Sequence, residues 1–225
     1  MRDGHTLRMN IAGDGNIGLF CVATENLCLV PRTVTEKQVS GMENVLGVSV
    51  HRTSVGYTNF VGAFVVANKN GVVVSNIIED DEKIIMEKNL GINVCVLDSR
   101  FNTLGNLIAA NDNGAVISPL FSEKQKKIIE SCLGVEAIKV TIAKTPLVGS
   151  GCLVSNNGAL LHRDANDNEK ETIENAIKVK SMPGTLGFGS PWVGAVSVCN
   201  SKGIVTGQKT TVHEFVRADE ALGFV

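Results

Sequence analysis

Apolar and polar positions along the 225-residue chain recur with a long period before any short one is apparent. An apolar residue followed by glycine opens an apolar stretch at Ile17-Gly18, Val61-Gly62, Leu104-Gly105, Val148-Gly149 and Val193-Gly194, in steps of 44, 43, 44 and 45 residues. A second marker, apolar-Gly-apolar, stands at Leu46-Gly47-Val48, Leu90-Gly91-Ile92, Leu133-Gly134-Val135 and Leu222-Gly223-Phe224, with Ile177-Lys178-Val179 in the fourth slot. Its steps are the same. Two markers that drift together in register imply five copies of one supersecondary unit.

Within a unit the pattern predicts strand, strand, helix, strand. After Gly62, Ala63 to Ala67 and Val72 to Val74 are two strand-forming runs joined by Asn68-Lys69-Asn70-Gly71, a hairpin signal whose Asn-Gly pair is expected to supply positive φ. Asn113-Gly114, Asn157-Gly158 and Lys202-Gly203 hold the equivalent turns, and by the same register Leu19 to Ala23 and Ala195 to Cys199 read as first strands. A helix follows. Thr35 with Gln38, Ser122 with Gln125 and Thr211 with Glu214 form capping boxes, each opening twelve residues before the glycine of the second marker, where a left-handed glycine ends the helix. Ile128, Ile129, Cys132 and Leu133 make an apolar stripe at helical spacing. Val48 to Thr53, Asn93 to Leu97 and Glu136 to Thr141 are the returning strands.

The fifth unit reaches Phe224-Val225 without a returning strand, and Leu7 to Ile11 stands ahead of the first unit with none to serve. Pairing the two closes a ring. The expected architecture is α/β: five strand-strand-helix-strand repeats of about 45 residues around a pseudo-fivefold axis, sheets inside and helices outside. Unit starts fall near 18, 62, 105, 149 and 194, and residues 1–225 are expected to form a single closed domain, with 7–11 completing the fifth unit. No Pro/Gly/Ser-rich linker separates the units.

Composition narrows the function. With 44% hydrophobic and 20% charged residues the chain reads as soluble and globular, with neither a membrane span nor disorder. A net charge of -2 provides no global field for phosphate backbones, so any nucleic-acid contact is local. Met1 to Asn10 leads into no apolar segment long enough for a signal peptide, which points to the cytoplasm. The six cysteines, Cys21, Cys28, Cys95, Cys132, Cys152 and Cys199, contain no C-x-x-C pair and lie mostly in apolar stretches, the pattern of core thiols.

Candidate chemistry is sparse. Gly13-Asp14-Gly15-Asn16-Ile17-Gly18 is formally G-x-G-x-x-G, but a strand follows it in the repeat register, so it reads as a turn and not as a dinucleotide site. Fivefold rings include guanidine-modifying enzymes built on a cysteine, a histidine and acidic residues, and Cys199 with His162 and Asp164 is the set to weigh for that alternative. Cys199 shares its register with Ala67 and Ala110, a filler position, so no catalytic residue, cofactor or metal is expected. Lys124, Lys126 and Lys127 read as a solvated helix face. Asparagines cluster beside the marker glycine or at the hairpin turns: Asn16, Asn59, Asn68, Asn102, Asn106, Asn111, Asn156 and Asn200. Turn chemistry explains Asn68, Asn111, Asn156 and Asn200. It does not require Asn106, which stands where other units place Leu19, Ala63, Ser150 and Ala195.

Leu104-Gly105-Asn106-Leu107-Ile108, Asn111-Asp112-Asn113-Gly114-Ala115-Val116-Ile117-Ser118-Pro119, and Val61-Gly62 with Val66-Ala67-Asn68-Lys69-Asn70-Gly71 resemble the translation initiation factor 6 family in its archaeal form, along the whole chain. His162-Arg163 and Gln208-Lys209-Thr210-Thr211 depart from that family's usual His-Pro and Gly-Asp-Thr-Thr. The resemblance implies the pentein fold and a non-catalytic role: a monomer that binds the large ribosomal subunit, protein and neighbouring RNA, at its intersubunit face and prevents joining of the small subunit, with no part for DNA or membrane. The residues expected at that contact are Asn106, Gly105, Asn102, Asn59, Asn16, Asn68 and Lys69.

Overall fold

A computed structural model describes residues 4–225 and contains five three-stranded sheets around one axis. In the second unit Val65–Ala67 lines the axis and pairs antiparallel with Gly71–Ser75, which pairs parallel with Asn93–Leu97 on its outer side. The other units repeat this order. The middle strands, Leu27–Pro31, Gly71–Ser75, Ala115–Ile117, Ala159–His162 and Ile204–Gly207, are buried at every position, which is why they read as unbroken apolar runs instead of alternating ones. A helix of eleven residues follows each middle strand, Glu36–Leu46, Asp80–Leu90, Glu123–Leu133, Asp167–Ile177 and Val212–Leu222, and the first four lead on to the outer strand of their unit. All three capping boxes expected from sequence form, and Asn166 with Glu169 makes another. Gly47, Gly91, Gly134 and Gly223 end their helices in the left-handed region, and Lys178 takes the same conformation at φ 58 without glycine's freedom. Thr6–Met9 pairs in parallel with Ile204–Gly207. Its span differs from the expected Leu7 to Ile11 because Ile11 instead bridges to Asp14 and begins a corner.

Each marker glycine belongs to a one-turn helix and not to a strand: Ile17–Phe20, Val61–Phe64, Leu104–Leu107, Val148–Gly151 and Val193–Val196. The first strands are correspondingly shorter, Val22–Ala23 replacing Leu19 to Ala23 and Ser197–Cys199 replacing Ala195 to Cys199. The cause is crowding at the axis. A Cβ on Gly18 would run into the carbonyl of Gly194, one on Gly194 into that of Gly149, and so on through Gly105 and Gly62 back to Gly18. Five backbones thus rest on one another in a closed circle at one end of the axial cavity, where no side chain fits.

The opposite end is closed by the hairpin turns. None of Asn70, Gly71, Asn113, Gly114, Asn157, Gly158, Lys202 or Gly203 has positive φ, so the expected role of the Asn-Gly pairs is corrected. The Asn68 side-chain oxygen instead accepts the N–H groups of Asn70 and Gly71 (2.9 and 3.3 Å), fixing the turn from inside. Glycine is required by approach: a Cβ on Gly71, Gly114, Gly158 or Gly203 would strike the carbonyl of Cys132, Ala176, Ala221 or Val45, near the end of the next unit's helix.

Those helix ends are also where the turn asparagines reach. The Asn68 amide donates to the carbonyls of Asn111 (3.1 Å) and Leu133 (2.8 Å). Asn111 donates to Ser155 and Ile177 (3.0 and 2.9 Å), and Asn200 donates to Thr24 and Leu46 (3.0 and 2.8 Å), the last pair joining the fifth unit to the first. Each asparagine is buried and uses both ends of its amide, oxygen for its own turn and nitrogen for its neighbour. Thr24 and Ser155 hold the other two turns and only the first of these functions is open to a hydroxyl of that reach.

Back at the glycine end, the returning strands meet the next unit through tight corners at Ile11–Asp14, Val55–Thr58, Ile142–Thr145 and Leu186–Ser190. Three corners are held by the capping-box glutamate of a helix. Glu82 accepts from Gly56 and Tyr57 N–H (2.7 and 2.9 Å), Glu169 from Ala143 and Lys144 (both 3.0 Å), and Glu214 from Phe188 and Gly189 (3.1 and 2.7 Å). Burial by itself raises the pKa of Glu169 and Glu214, but backbone N–H and threonine hydroxyl donors outweigh it and hold both below the ordinary glutamate range.

Two outcomes follow for stability. Asn200→Ala leaves the buried Thr24 and Leu46 carbonyls and two turn N–H groups without partners and is expected to cost about 3 kcal/mol in denaturant unfolding. Asn200→Ser, which restores only the turn acceptors as Ser155 does, should fall between Ala and the parent. Because the folded pKa of Glu169 and Glu214 lies below the unfolded value of about 4.3, their contribution is complete above that value and is lost as pH falls through the folded one. Thermal melts are expected to be flat above about pH 6 and to drop below about pH 4.5, and Glu214→Gln should lower the plateau while making the acid limb shallower.

Candidate functional site

The two ends of the axis differ in chemistry. At the turn end, polar groups bond to one another. Lys69 N–H donates to Asp112 (2.9 Å), the Asn156 amide donates to Asp112 (2.7 Å), and Ser201 donates its N–H and hydroxyl to Glu25 (2.9 and 2.7 Å). At the corner end, aromatic rings face solvent: Tyr57 is 67% exposed, Phe60 45% and Phe188 78%. Tyr57 and Phe188 both have positive φ (54 and 70), a conformation unfavourable for bulky residues, and it is the N–H groups of these same corners that Glu82 and Glu214 grip. Phe60 stacks on Phe20 at 5.4 Å between centroids, and Trp192 packs edge-on against His162 at 4.9 Å. Lys144 and Lys209 are exposed at this end.

The residues singled out from sequence divide between the two ends. Asn16, Asn59, Asn102, Gly105 and Asn106 lie at the corner end, in or just before the one-turn helices. Asn16 is exposed and bonds to Asp14 (2.9 Å), and Asn59 is exposed. Gly105 belongs to the axial circle. Asn106 is half-buried inside Leu104–Leu107 and accepts the Ser150 hydroxyl at 3.1 Å, so it is a bond between units and not part of an exposed turn. Asn68 and Lys69 do not join this group. Asn68 is 2% exposed and fully used in its turn and the next unit, and Lys69 is exposed at the opposite end.

Sequence reasoning missed the aromatics. Phe60 and Trp192 immediately precede marker pairs, and Gly56-Tyr57 and Gly187-Phe188-Gly189 place a large ring beside glycine in a corner. A bulky ring where chain geometry asks for a small residue was the available signal.

The guanidine-chemistry set does not assemble. Cys199 directly precedes its hairpin turn, whereas His162 ends a middle strand at the far side of its sheet from the turn, one unit away. Burial pushes the Cys199 thiol well above the ordinary range, and burial holds the His162 imidazole below its ordinary value against the opposing pull of Asp164. Among the described residues there is no group of three or more His, Cys, Asp or Glu placed to hold a metal ion, and no helix is long and apolar enough to cross a membrane.

Comparison with known proteins places the chain. It is similar to translation initiation factor 6 of Methanobrevibacter smithii, 39% identical over 218 residues that cover 97% of each chain. The factor of the same name from Methanocaldococcus jannaschii is 37% identical over 97% of this chain and 98% of its own, and that of Pyrococcus horikoshii 34% identical over 98% and 100%. Among solved structures, the N-terminal domain of ArgZ, a cyanobacterial arginine dihydrolase, shares 15% identity over 75% of this chain and 68% of its own, with a TM-score of 0.49, too distant to carry any chemistry across. The eIF-6 family model matches residues 6–221. A fivefold ring whose cysteine and histidine stand apart, matched end to end by archaeal translation factors, thus belongs to the eIF-6 family.

Proposed function

We propose that this translation factor binds the large ribosomal subunit, at its intersubunit face, through the corner end of its axis, and as a monomer prevents the small subunit from joining. The carrying observation is the contrast between ends. Tyr57 and Phe188 are exposed on corners fixed by buried glutamates and Phe60 is exposed just after the first of them, while the turn end bonds polar groups to one another. Exposed aromatics on a rigid frame are the usual anchors of protein interfaces, because little conformational freedom is lost when they are buried. Asn16, Asn59, Asn102, Gly105 and Asn106 belong to this face in the proposal; Asn68 and Lys69 do not.

The mechanism needs no turnover. A folded body of 23.9 kDa seated where two subunits dock excludes one of them by volume, so inhibition follows occupancy. With a net charge of -2, binding rests on packing and hydrogen bonds to ribosomal protein and on a few local contacts to RNA, so salt should weaken it gently.

Subunit joining followed by light scattering tests this reading. Parent protein at saturation is expected to block joining in proportion to the large subunits occupied. Tyr57→Ala with Phe188→Ala should weaken binding at least about thirtyfold without lowering the melting temperature, since both rings are outside the core, and Lys69→Glu at the turn end should inhibit as the parent does. Normal joining at saturating parent protein contradicts the function. Full inhibition by the aromatic double variant, with loss in Lys69→Glu, reverses the face.

A further inference from the structure

Six cysteines are present, and five are buried; Cys95 alone is partly open to solvent. It sits on Asn93–Leu97, the outer strand of the second unit, beside the helix Glu123–Leu133 of the third unit, which carries Cys132. Asn93 and Cys95 are two residues apart and share one face of the strand. The Asn93 amide nitrogen lies 3.2 Å from the Cys95 sulfur and 3.9 Å from the Cys132 sulfur, so one donor spans both thiols. Cys132 also donates to the Val72 carbonyl (3.2 Å), which holds its sulfur at the strand pair instead of in the helix interior.

From this placement we infer that Cys95 and Cys132 form a peroxide-responsive dithiol whose oxidation staples the second unit's sheet to the third unit's helix. The first step belongs to Cys95. Its thiolate attacks a peroxide oxygen, the O–O bond breaks, the departing oxygen takes a proton to leave as water or alcohol, and Cys95 becomes a sulfenic acid. Cys132 then attacks the sulfenic sulfur. The S–O bond breaks, hydroxide leaves as water with the Cys132 proton, and the S–S bond forms. The net change is two thiols and one peroxide to one disulfide, water and a second water or alcohol. Cys95 is open to the oxidant whereas Cys132 is buried, so Cys132 is the resolving and not the attacking group; burial and the hydrogen bond with Cys95 also keep its thiol above the ordinary range. Cys21 and Cys28 lie near one another too, but both are fully buried, and an oxidant has no path to them.

The experiment uses the full chain, folded, treated with a small excess of hydrogen peroxide, then unfolded, alkylated and mapped by mass spectrometry. Two of the six thiols are expected to be lost together as a Cys95–Cys132 cross-linked peptide, with Cys21, Cys28, Cys152 and Cys199 alkylated as before. Cys95→Ser should leave every remaining thiol free. Cys132→Ser should trap Cys95 as sulfenic or sulfinic acid without a cross-link. Six free thiols after treatment, a cross-link through any other cysteine, or Cys95 over-oxidised in the parent protein with Cys132 still free would each overturn the inference.

Discussion

Five backbones meeting at one axis without room for a single Cβ is the constraint from which the other features follow. The circle of Gly18, Gly62, Gly105, Gly149 and Gly194 sets how near the units approach. That distance places the inner strands around a cavity of about 100 Å³ and buries the middle strands on all sides. It also brings four of the five hairpin turns, those at Gly71, Gly114, Gly158 and Gly203, against the end of the next unit's helix, where a Cβ would strike a carbonyl. Close backbone contact removes water from carbonyls and N–H groups that then need partners, and the buried asparagines at Asn68, Asn111 and Asn200 provide them.

The ring therefore divides its two ends. Turn-end polar groups are consumed in joining neighbours, so that end has little left to offer a partner. The corner end keeps its joining groups beneath the surface, in the carboxylates of Glu82, Glu169 and Glu214, and leaves Tyr57, Phe60 and Phe188 outside. Holding Tyr57 and Phe188 at positive φ costs on the order of 1–2 kcal/mol each, and two charge-assisted hydrogen bonds to each corner offset it.

Much of this was legible in the sequence because repetition multiplies weak signals. One apolar-Gly pair says little, whereas five in register, from Ile17-Gly18 to Val193-Gly194, fix the unit length, and Thr35, Ser122 and Thr211 marked helix starts that the structure places at those residues. What failed to show was long-range. The one-turn helices at Gly18 and its mates are stabilised by neighbouring units and not by local propensity, so their apolar residues read as strand. Asn-Gly suggested positive φ, while the glycine answers instead to a carbonyl more than forty residues away. Glu82, Glu169 and Glu214 looked like ordinary caps or passed unnoticed, since nothing local shows that a carboxylate also grips a corner some 25 residues earlier. The expected contact residues fell at both ends because Asn68 follows the inner strand Val65–Ala67 whereas Asn106 precedes the equivalent strand Ile108–Ala110.

The central claim is that one end of the axis is the contact face and the other is structural. Hydroxyl-radical footprinting of the protein bound to purified large subunits, read by mass spectrometry, tests it most directly. The account predicts protection of Tyr57, Phe60, Phe188 and Trp192, with Lys69 and Lys202 at the turn end labelled as in the free protein. Protection of the turn-end residues with Tyr57 and Phe188 still labelled would contradict it.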